Sequence, residues 1–481
     1  MKIKQLRLIK YNQFNDLTID LTYPKGHAKE GQPLEKICFI GQGGTGKTSI
    51  LRLIKWFVSL DRQIGKNIFM PFEDTERVEI DFVLGKLEYT LFHALGLNRD
   101  TLGISSYKLD DTPIVTGVFF DQFDILKKSI TPLIINFPTE IVYDNNPLEN
   151  DEIKDETTLV ERTNQKIDFL QKLNPQQVVD FALEDVSKSW EFVLKEISEY
   201  RAKDLLLDKK LGDTIRSFGI NSEEVVEQEQ ENNAWRKSNA NPIEELAQKC
   251  LNVVLKPLGL KVKTSIDINT ILHINYIELQ TLSGKDVPRT FWSTGTKQLI
   301  NTLIPLFELK PKNAIILMDE PERSLYPDLQ RNIIDTYVSL GEDCQFFFAT
   351  HSPIIASSFD PWEIVELKFN NDHEWIIQDP YFENERHVNN YKFNPKFMRW
   401  DTILTKVFDL DADGREERQE KIKKLAVLSN RIKKRIKEKK NEFSTSNTEP
   451  KKLEDLAEIE DVNDFKKLAN ELQWEIGDSA L

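Results

Sequence analysis

Gly41-Gln42-Gly43-Gly44-Thr45-Gly46-Lys47-Thr48 is the stretch from which the rest of the chain is read. It fits G-x-x-x-x-G-K-[ST], a loop whose glycines let backbone N–H groups turn toward phosphate oxygens. Its flanks separate it from a chance glycine-rich turn. Residues 36–40, KICFI, are a short apolar run with the character of a buried strand. Residues 49–57, SILRLIKWF, carry apolar side chains at helical spacing. Strand, glycine loop and helix in that order aim the positive end of the helix at a phosphate. Gly41, Gly43, Gly44, Thr45, Gly46 and Ser49 then belong to the phosphate cradle. Lys47 reaches the β- and γ-phosphates, and the Thr48 hydroxyl holds Mg2+.

The 481 residues suffice for two or three domains, and 40% of them are hydrophobic, so a sizeable core is available. A net charge of −15 argues against non-specific coating of nucleic acid. Cys38, Cys250 and Cys344 lie far apart with no C-x-x-C, which points to neither a zinc site nor a disulfide framework. Cys38 and Cys344 sit in apolar runs and read as core thiols. Residues 1–9 alternate like a strand rather than a leader peptide. No apolar run approaches the length of a membrane span. The expectation is a cytoplasmic protein without membrane contact.

Residues 3–9 and 17–21 predict two strands. Residues 77–83 and 87–92 alternate and predict a hairpin around Gly85. Residues 114–120 and 133–137 are further strand candidates. Gln122 is a candidate magnesium-sensing glutamine by residue type alone. From 150 to 240 the chain is polar and helical in pattern, with Trp190, Val193, Leu194 and Ile197 on one face. The acidic run 223–231 is read as a solvated face, or else as a docking strip for a basic partner. Residues 232–241 read as a loop, and Pro242 opens a helix over 243–255. No long heptad array is present, which speaks against a coiled-coil arm. A strand at 271–280 is expected to return the chain to the nucleotide-binding part.

The apolar run 313–318 ends in Asp319-Glu320. At the carboxyl end of a buried parallel strand, Asp319 can hold Mg2+, and Glu320 can orient or deprotonate the attacking water. Residues 345–350 form another buried strand, followed by His351. That histidine either contacts a γ-phosphate or is structural. Residues 292–298, WSTGTKQ, precede a helix at 299–309. Ser293 and Gly295 at a helix N-terminus suit an anion, although they lie far along the chain from their own phosphate loop.

In this order the motifs resemble the ABC-type ATPases, and more closely the soluble branch of RecF, SMC-like and overcoming-lysogenization ATPases. Asp319-Glu-Pro-Glu-Arg-Ser-Leu-Tyr-Pro327 is similar to that branch's D-E-P-E-x-x-L-H-P, with Tyr326 in place of histidine. Against the signature L-S-G-G-Q, Ser293 and Gly295 are kept, Trp292, Thr294 and Thr296 depart, and Lys297 matches the SMC-like form. The resemblance spans about 1–145 and 270–370. It implies an α/β P-loop ATPase head with a helical insertion, ATP and Mg2+ as cofactors, and slow ATP hydrolysis. It also implies that two heads sandwich two ATP molecules, Ser293 and Gly295 of one chain facing the γ-phosphate held by the other. Stand-alone ATPases of bacterial anti-phage systems, of the Septu, PARIS or retron-associated types, resemble the chain most. They imply a separately encoded effector, a nuclease, and a phage-derived trigger. A RecF- or SMC-like repair ATPase that clamps DNA is the alternative, distinguished by DNA-stimulated turnover.

Residues 401–408 predict a helix. Residues 409–420 fit the calcium-loop pattern D-x-[DN]-x-[DN]-G-x5-E through Asp409, Asp411, Asp413, Gly414 and Glu420. Glu416 stands where paired hands place an aliphatic residue, and no second loop exists, so a helix–helix turn is favoured. Between 421 and 440 ten lysines and arginines face one acid, Glu438, around a stripe of Ile422, Leu425, Val427, Leu428, Ile432 and Ile436. That helix is a solvated face, a phosphate-backbone contact or a docking surface. Residues 441–450 read as a linker, and Phe465, Leu468, Leu472 and Trp474 as a docking helix. No nuclease motif and no TOPRIM-length domain are found, so the chain is expected to cut nothing alone. The expected organisation is 1–145 and 271–380 as the two lobes of the head, 146–270 as a helical insertion, and 381–481 as a helical docking region.

Overall fold

The computed structural model describes residues 1–59, 77–84, 87–95, 100–109, 112–113, 134–139, 178–181, 187–264, 277–408, 416–443 and 459–472. The chain divides into two units, Met1–Trp400 and Asp401–Leu481. The expectations at 114–120, Gln122, Gly85, Trp474 and the aspartate-rich turn at 409–415 lie outside the described residues.

The first unit is built on a mixed sheet. Strands β1 (Lys2–Tyr11) and β2 (Phe14–Asp20) pair antiparallel, with Tyr11 opposite Phe14 at the turn. Leu6, Leu8, Leu17 and Ile19 are buried and their neighbours are more open, the alternation of a sheet covered on one face. β3 (Lys36–Gly41) differs, with five successive positions buried. An unbroken apolar run is what a parallel strand covered on both faces requires.

After β3 come helix α1 (Lys47–Ser59) and strands β4 (Arg77–Leu84), β5 (Leu87–Leu95), β6 (Asp100–Leu109), β7 (Thr112–Pro113), β8 (Ile134–Phe137) and β9 (Val178–Asp180). Helices α2 (Ser187–Phe218), α3 (Glu223–Ser238) and α4 (Pro242–Leu246) follow. A π turn, Ala247–Leu251, continues α4 into α5 (Asn252–Leu255). Among the described residues the short strands β10 (Leu260–Val262), β11 (Leu279–Thr281) and β12 (Asp286–Val287) pair only with one another. Then come α6 (Thr294–Leu309), β13 (Ile315–Asp319), α7 (Pro327–Ser339), β14 (Gln345–Ala349), α8 (Pro353–Ala356), β15 (Ile364–Phe369), β16 (Ile376–Asp379) and α9 (Trp400–Lys406).

Among the described residues the large sheet runs β7-β6-β5-β4-β1-β2-β16-β15-β3-β14-β13-β8-β9. From β15 to β9 every neighbouring pair is parallel. The pairings from β7 to β2 are antiparallel. Helix α1 lies against β3, β8, β13 and β14. Ile50, Ile54, Phe57, Phe39, Leu317 and Phe347 belong to the core that results. Gln345 is fully buried yet satisfied. Its amide accepts from Ile3 N at 2.7 Å and donates to the carbonyls of Ile3 and Leu34 at 2.9 Å each. One side chain therefore ties β14 to both ends of the N-terminal segment without an orphaned polar group.

The hairpin expected at 77–92 is present, with Leu84 opposite Leu87. The described part of the expected strand at 271–280 joins the small β10–β11–β12 sheet, not the large one. Residues 232–238, read from sequence as loop, continue α3. Asn232 is buried and donates to the Leu207 carbonyl at 3.1 Å. Arg236 bridges Asp204 and Asp208 of α2 at 2.7 and 2.6 Å. These ties hold α3 against α2, a tertiary gain that overrides the weak helix propensity of two asparagines. Val193 and Ile197 of α2 are buried.

In the second unit, α10 (Glu416–Phe443) pairs with α11 (Ile459–Glu471). Leu425 and Ile432 pack with Val462, Phe465, Ala469 and Leu472. Val427 is exposed rather than part of the expected stripe. Phe465 and Leu472, read from sequence as docking residues, are used within the unit.

Candidate functional site

The carboxyl ends of four adjacent parallel strands converge. β3 ends in the phosphate loop, β14 in Thr350-His351-Ser352, β13 in Asp319-Glu320, and β8 in Pro138-Thr139. A parallel sheet places its ligands at this edge, because all strand ends and helix N-termini there point the same way.

Gly41 is the last residue of β3, and Gly43 and Gly44 form the exposed crown of the loop. Thr45 is fully buried, and its hydroxyl donates to the Gln42 carbonyl at 2.9 Å. Gly46 has φ +79, and a Cβ there would lie 2.6 Å from the Phe14 ring. Only glycine fits both the backbone conformation and the aromatic wall. Lys47, Thr48 and Ser49 form the first turn of α1. Lys47 is buried, and its ammonium donates to the carbonyls of Gly41 and Gln42 at 2.9 Å each. Burial lowers its pKa to about 8, and the negative charges of Asp319, Glu320 and Glu322 oppose the shift.

The Thr48 hydroxyl donates to the Asp319 carboxylate at 2.9 and 3.1 Å. The Thr139 hydroxyl donates to the same carboxylate at 2.9 Å. Arg323 in turn donates to the Thr139 carbonyl at 2.5 Å. Hydroxyl and carboxylate oxygens are the hard donors that Mg2+ takes, so the residues present fit that ion.

Glu320 has φ +49, and its N–H donates to the Ala349 carbonyl at 2.8 Å. A non-glycine residue held left-handed costs about 1–3 kcal/mol and persists where surrounding structure imposes it. His351 stands on the exposed rim. Desolvation lowers its pKa, the Lys47 charge adds to that, and Glu320, Asp319 and a hydrogen bond to the Gly41 backbone oppose it. The imidazole is therefore biased toward its neutral form, within reach of the charges of Lys47 and both carboxylates.

Ser293 and Gly295 are placed differently. Ser293 is the N-cap of α6, its hydroxyl accepting from Thr296 N at 3.1 Å. A Cβ on Gly295 would lie 2.4 Å from the Ser324 carbonyl, so the helix start is pressed onto the turn that follows Glu320. The structure thus brings Lys47, Thr48, Asp319, Glu320 and His351 together. It places Ser293 and Gly295 at the N-terminus of α6, against the 320–325 turn.

Sequence reasoning gave no role to Thr139 or Phe14, nor to Glu322 and Arg323 within the quoted 319–327 run. Thr139 lies 180 positions from the carboxylate it touches. Its one local signal is its place directly after an apolar strand. Phe14 had only an aromatic residue in a turn to mark it.

The described residues contain no helix long and apolar enough to cross a membrane. They also contain no cluster of three or more His, Cys, Asp or Glu able to hold a metal. All three cysteines are buried and free.

No curated protein matches the chain. Among solved structures it is similar to the Smc head domain with an extended coiled coil bound to the C-terminal domain of ScpA from Pyrococcus furiosus. That likeness has 13% identity, covers 79% of this chain and 96% of that one, and has a TM-score of 0.37. It is also similar to the SmcHead bound to the C-winged helix domain of ScpA, at 15% identity, 79% and 97% coverage and a TM-score of 0.37. A third is the SMC head domain from Thermotoga maritima, at 14% identity, 79% and 99% coverage and a TM-score of 0.36. At such scores these likenesses do not bear on the site. The family described as AAA ATPase domain matches residues 1–356, three quarters of the chain and every strand end at the site, and the chain belongs to that family.

Proposed function

We propose that the chain hydrolyses ATP slowly and uses that cycle to control a separately encoded effector, a nuclease, in bacterial anti-phage defence within the cytoplasm. One observation carries the hydrolytic part. The Thr48–Asp319 pair, Glu320, Lys47 and His351 lie together at one sheet edge.

The residues divide the work. The loop N–H groups and Lys47 bind the β- and γ-phosphates, Lys47 leaving its carbonyl partners Gly41 and Gln42 to do so. Thr48 and Asp319 hold Mg2+, with Thr139 orienting the Asp319 carboxylate. Mg2+ bound there supplies positive charge for the phosphate oxygens. Glu320 accepts a proton from the attacking water, and the neutral His351 contacts the γ-phosphate. Ser293 and Gly295 act on the nucleotide of a second copy, which makes the ATP-bound form a head-to-head dimer or larger ring. A phage-derived trigger changes that equilibrium, and the effector reads it.

The anti-phage part rests on the motif resemblance, above all the 319–327 run. The C-terminal unit supplies a helical pair with exposed Lys423, Lys424, Lys433, Lys434 and Lys437 for the effector or for nucleic acid.

The test has two arms. Glu320→Gln should bind ATP with the affinity of the parent and lose turnover by about 100-fold or more. Lys47→Ala and Ser293→Arg chains should each be inactive and recover activity when mixed. Undiminished turnover in Glu320→Gln would remove the base. No recovery in proven heterodimers would place complete sites within one chain. The purified protein should leave plasmid and tRNA intact, and phage protection should require a second gene. Partner-free cleavage lost on deleting residues 415–481 would overturn the effector reading.

A further inference from the structure

Glu322 lies in neither the phosphate loop nor the Asp319-Glu320 pair, yet it joins two of the strand ends. One carboxylate oxygen, Oε1, accepts from the Thr350 hydroxyl at 2.6 Å and from the His351 N–H at 3.0 Å. Among the described residues the other oxygen is buried with no hydrogen-bond partner. A buried carboxylate that takes two bonds from one turn costs desolvation, and the gain is a fixed turn.

The turn is held from several sides. Thr350 Oγ1 accepts from Ser352 N at 2.9 Å, and Ser352 Oγ donates to Gln330 Oε1 at 2.6 Å. Gln330 Nε2 then donates to the Leu325 carbonyl at 2.9 Å, which returns the network to the segment carrying Glu322. On the opposite side the Glu320 N–H donates to the Ala349 carbonyl at 2.8 Å. The backbone of 349–352 is thus fixed to the turn 320–325, and the His351 side chain alone is left to reach Gly41 and Lys47.

We propose that Glu322 is a positioning residue for the hydrolysis reaction: by holding the Thr350 hydroxyl and the His351 amide it sets where the His351 imidazole stands over the phosphate loop. The inference rests on the role given to His351 above. A glutamine can take over this task, because its single carbonyl oxygen can accept both bonds. Alanine leaves the buried Thr350 hydroxyl and the more exposed His351 N–H without this acceptor and lets the turn relax.

A double-mutant cycle on the full-length chain tests this, with turnover, KM and thermal unfolding read for each variant. His351→Ala should lower kcat by about 100-fold, and Glu322→Ala by about tenfold with KM unchanged, since misplacing one group by a fraction of an ångström costs that much. Glu322→Gln should stay within about threefold of the parent. In the His351→Ala background, Glu322→Ala should cost nothing further, because there is no imidazole left to position. Should Glu322→Ala fail to fold, Thr350→Val removes one of the two donors at constant volume and enters the same cycle. Losses that multiply in the double variant overturn the inference, as does a Glu322→Ala loss shared equally by kcat and KM. Full turnover in His351→Ala overturns it too, but by removing the role of His351 itself. That result is distinguishable, because it is read in the single variant.

Discussion

The strand ends of the first unit and the helix pair of the second are both dense in charge, but they hold it in opposite ways. At the strand ends Lys47, Asp319 and Glu322 are each anchored to backbone or to neighbouring hydroxyls. Lys47 sits on two carbonyls, Asp319 takes two hydroxyls, and Glu322 takes a hydroxyl and an amide. On α10 and α11 the apolar side chains make the core and the charges stand around it. Lys421–Glu471 and Arg431–Asp461 bridge the pair, while Lys423, Lys424, Lys433 and Lys437 are exposed. The difference teaches where charge determines behaviour. A group bonded in a low-dielectric site is expensive to change, whereas a solvated one is screened.

The strongest test of this contrast is Lys47→Ala. It removes the loop's one cation, and nucleotide affinity should fall by at least about 100-fold with the fold intact. Calorimetric titration with ATP that shows a loss under threefold would break the comparison at its firmest point.

Next is Ile432→Ala on α10. Ile432 is fully buried, and the change should cost the helix pair about 3 kcal/mol through lost burial and a cavity. Amide exchange in residues 416–443 should accelerate while ATP turnover per chain stays level. A parallel loss of turnover would show that the two regions are not separable in this way.

A subtler case is Glu308, near the end of α6. Burial raises its pKa from 4.5 to about 8, reinforced by Glu196 of α2, opposed by Lys310, and reinforced again by Glu245 of α4. The unfolded carboxyl ionises near 4.5 and the folded one near 8. Between those values the folded state holds more protons, so stability falls as pH rises through that window. Glu308→Gln should therefore raise Tm at pH 8 by about 3 °C and have much less effect at pH 5. An equal gain at both pH values would mean that charge burial is not the cause.

The smallest effect is expected on the exposed face of α10. Lys433→Ala and Lys434→Ala together should shift stability by less than about 0.5 kcal/mol, since both side chains are exposed and Lys434 stands 4.0 Å from Glu438. Chemical denaturation showing a loss above about 2 kcal/mol would give this surface a structural role that its exposure does not suggest.

Contiguous chemistry was legible in the chain. The loop at 41–48, the carboxylates at 319–320 and the histidine at 351 each announce themselves, because a phosphate loop or a strand end needs its residue types within a few positions of one another. The run of five buried residues in β3 against the alternation of β1 likewise separated the covered strands from the half-covered ones. Local pattern failed at 232–238, where α3 is held by Asn232 and Arg236 reaching α2. It failed again at Phe465 and Leu472, whose apolar faces are taken by α10.

By itself the sequence determined that this chain carries a P-loop ATPase site, that the runs at 36–40, 313–318 and 345–350 are buried strands, and that the phosphate loop, Asp319-Glu320 and His351 stand at their ends. Those properties follow from side chains next to each other along the backbone. Only the tertiary structure decided that β8 and β14 lie on either side of β13, and hence that Thr139 reaches Asp319 and Glu322 reaches Thr350 and His351. Strand order is a choice among packings that bury the same apolar residues. The hydrogen bonds that depend on it join positions 28, 29 and 180 residues apart, a separation over which no local pattern carries information.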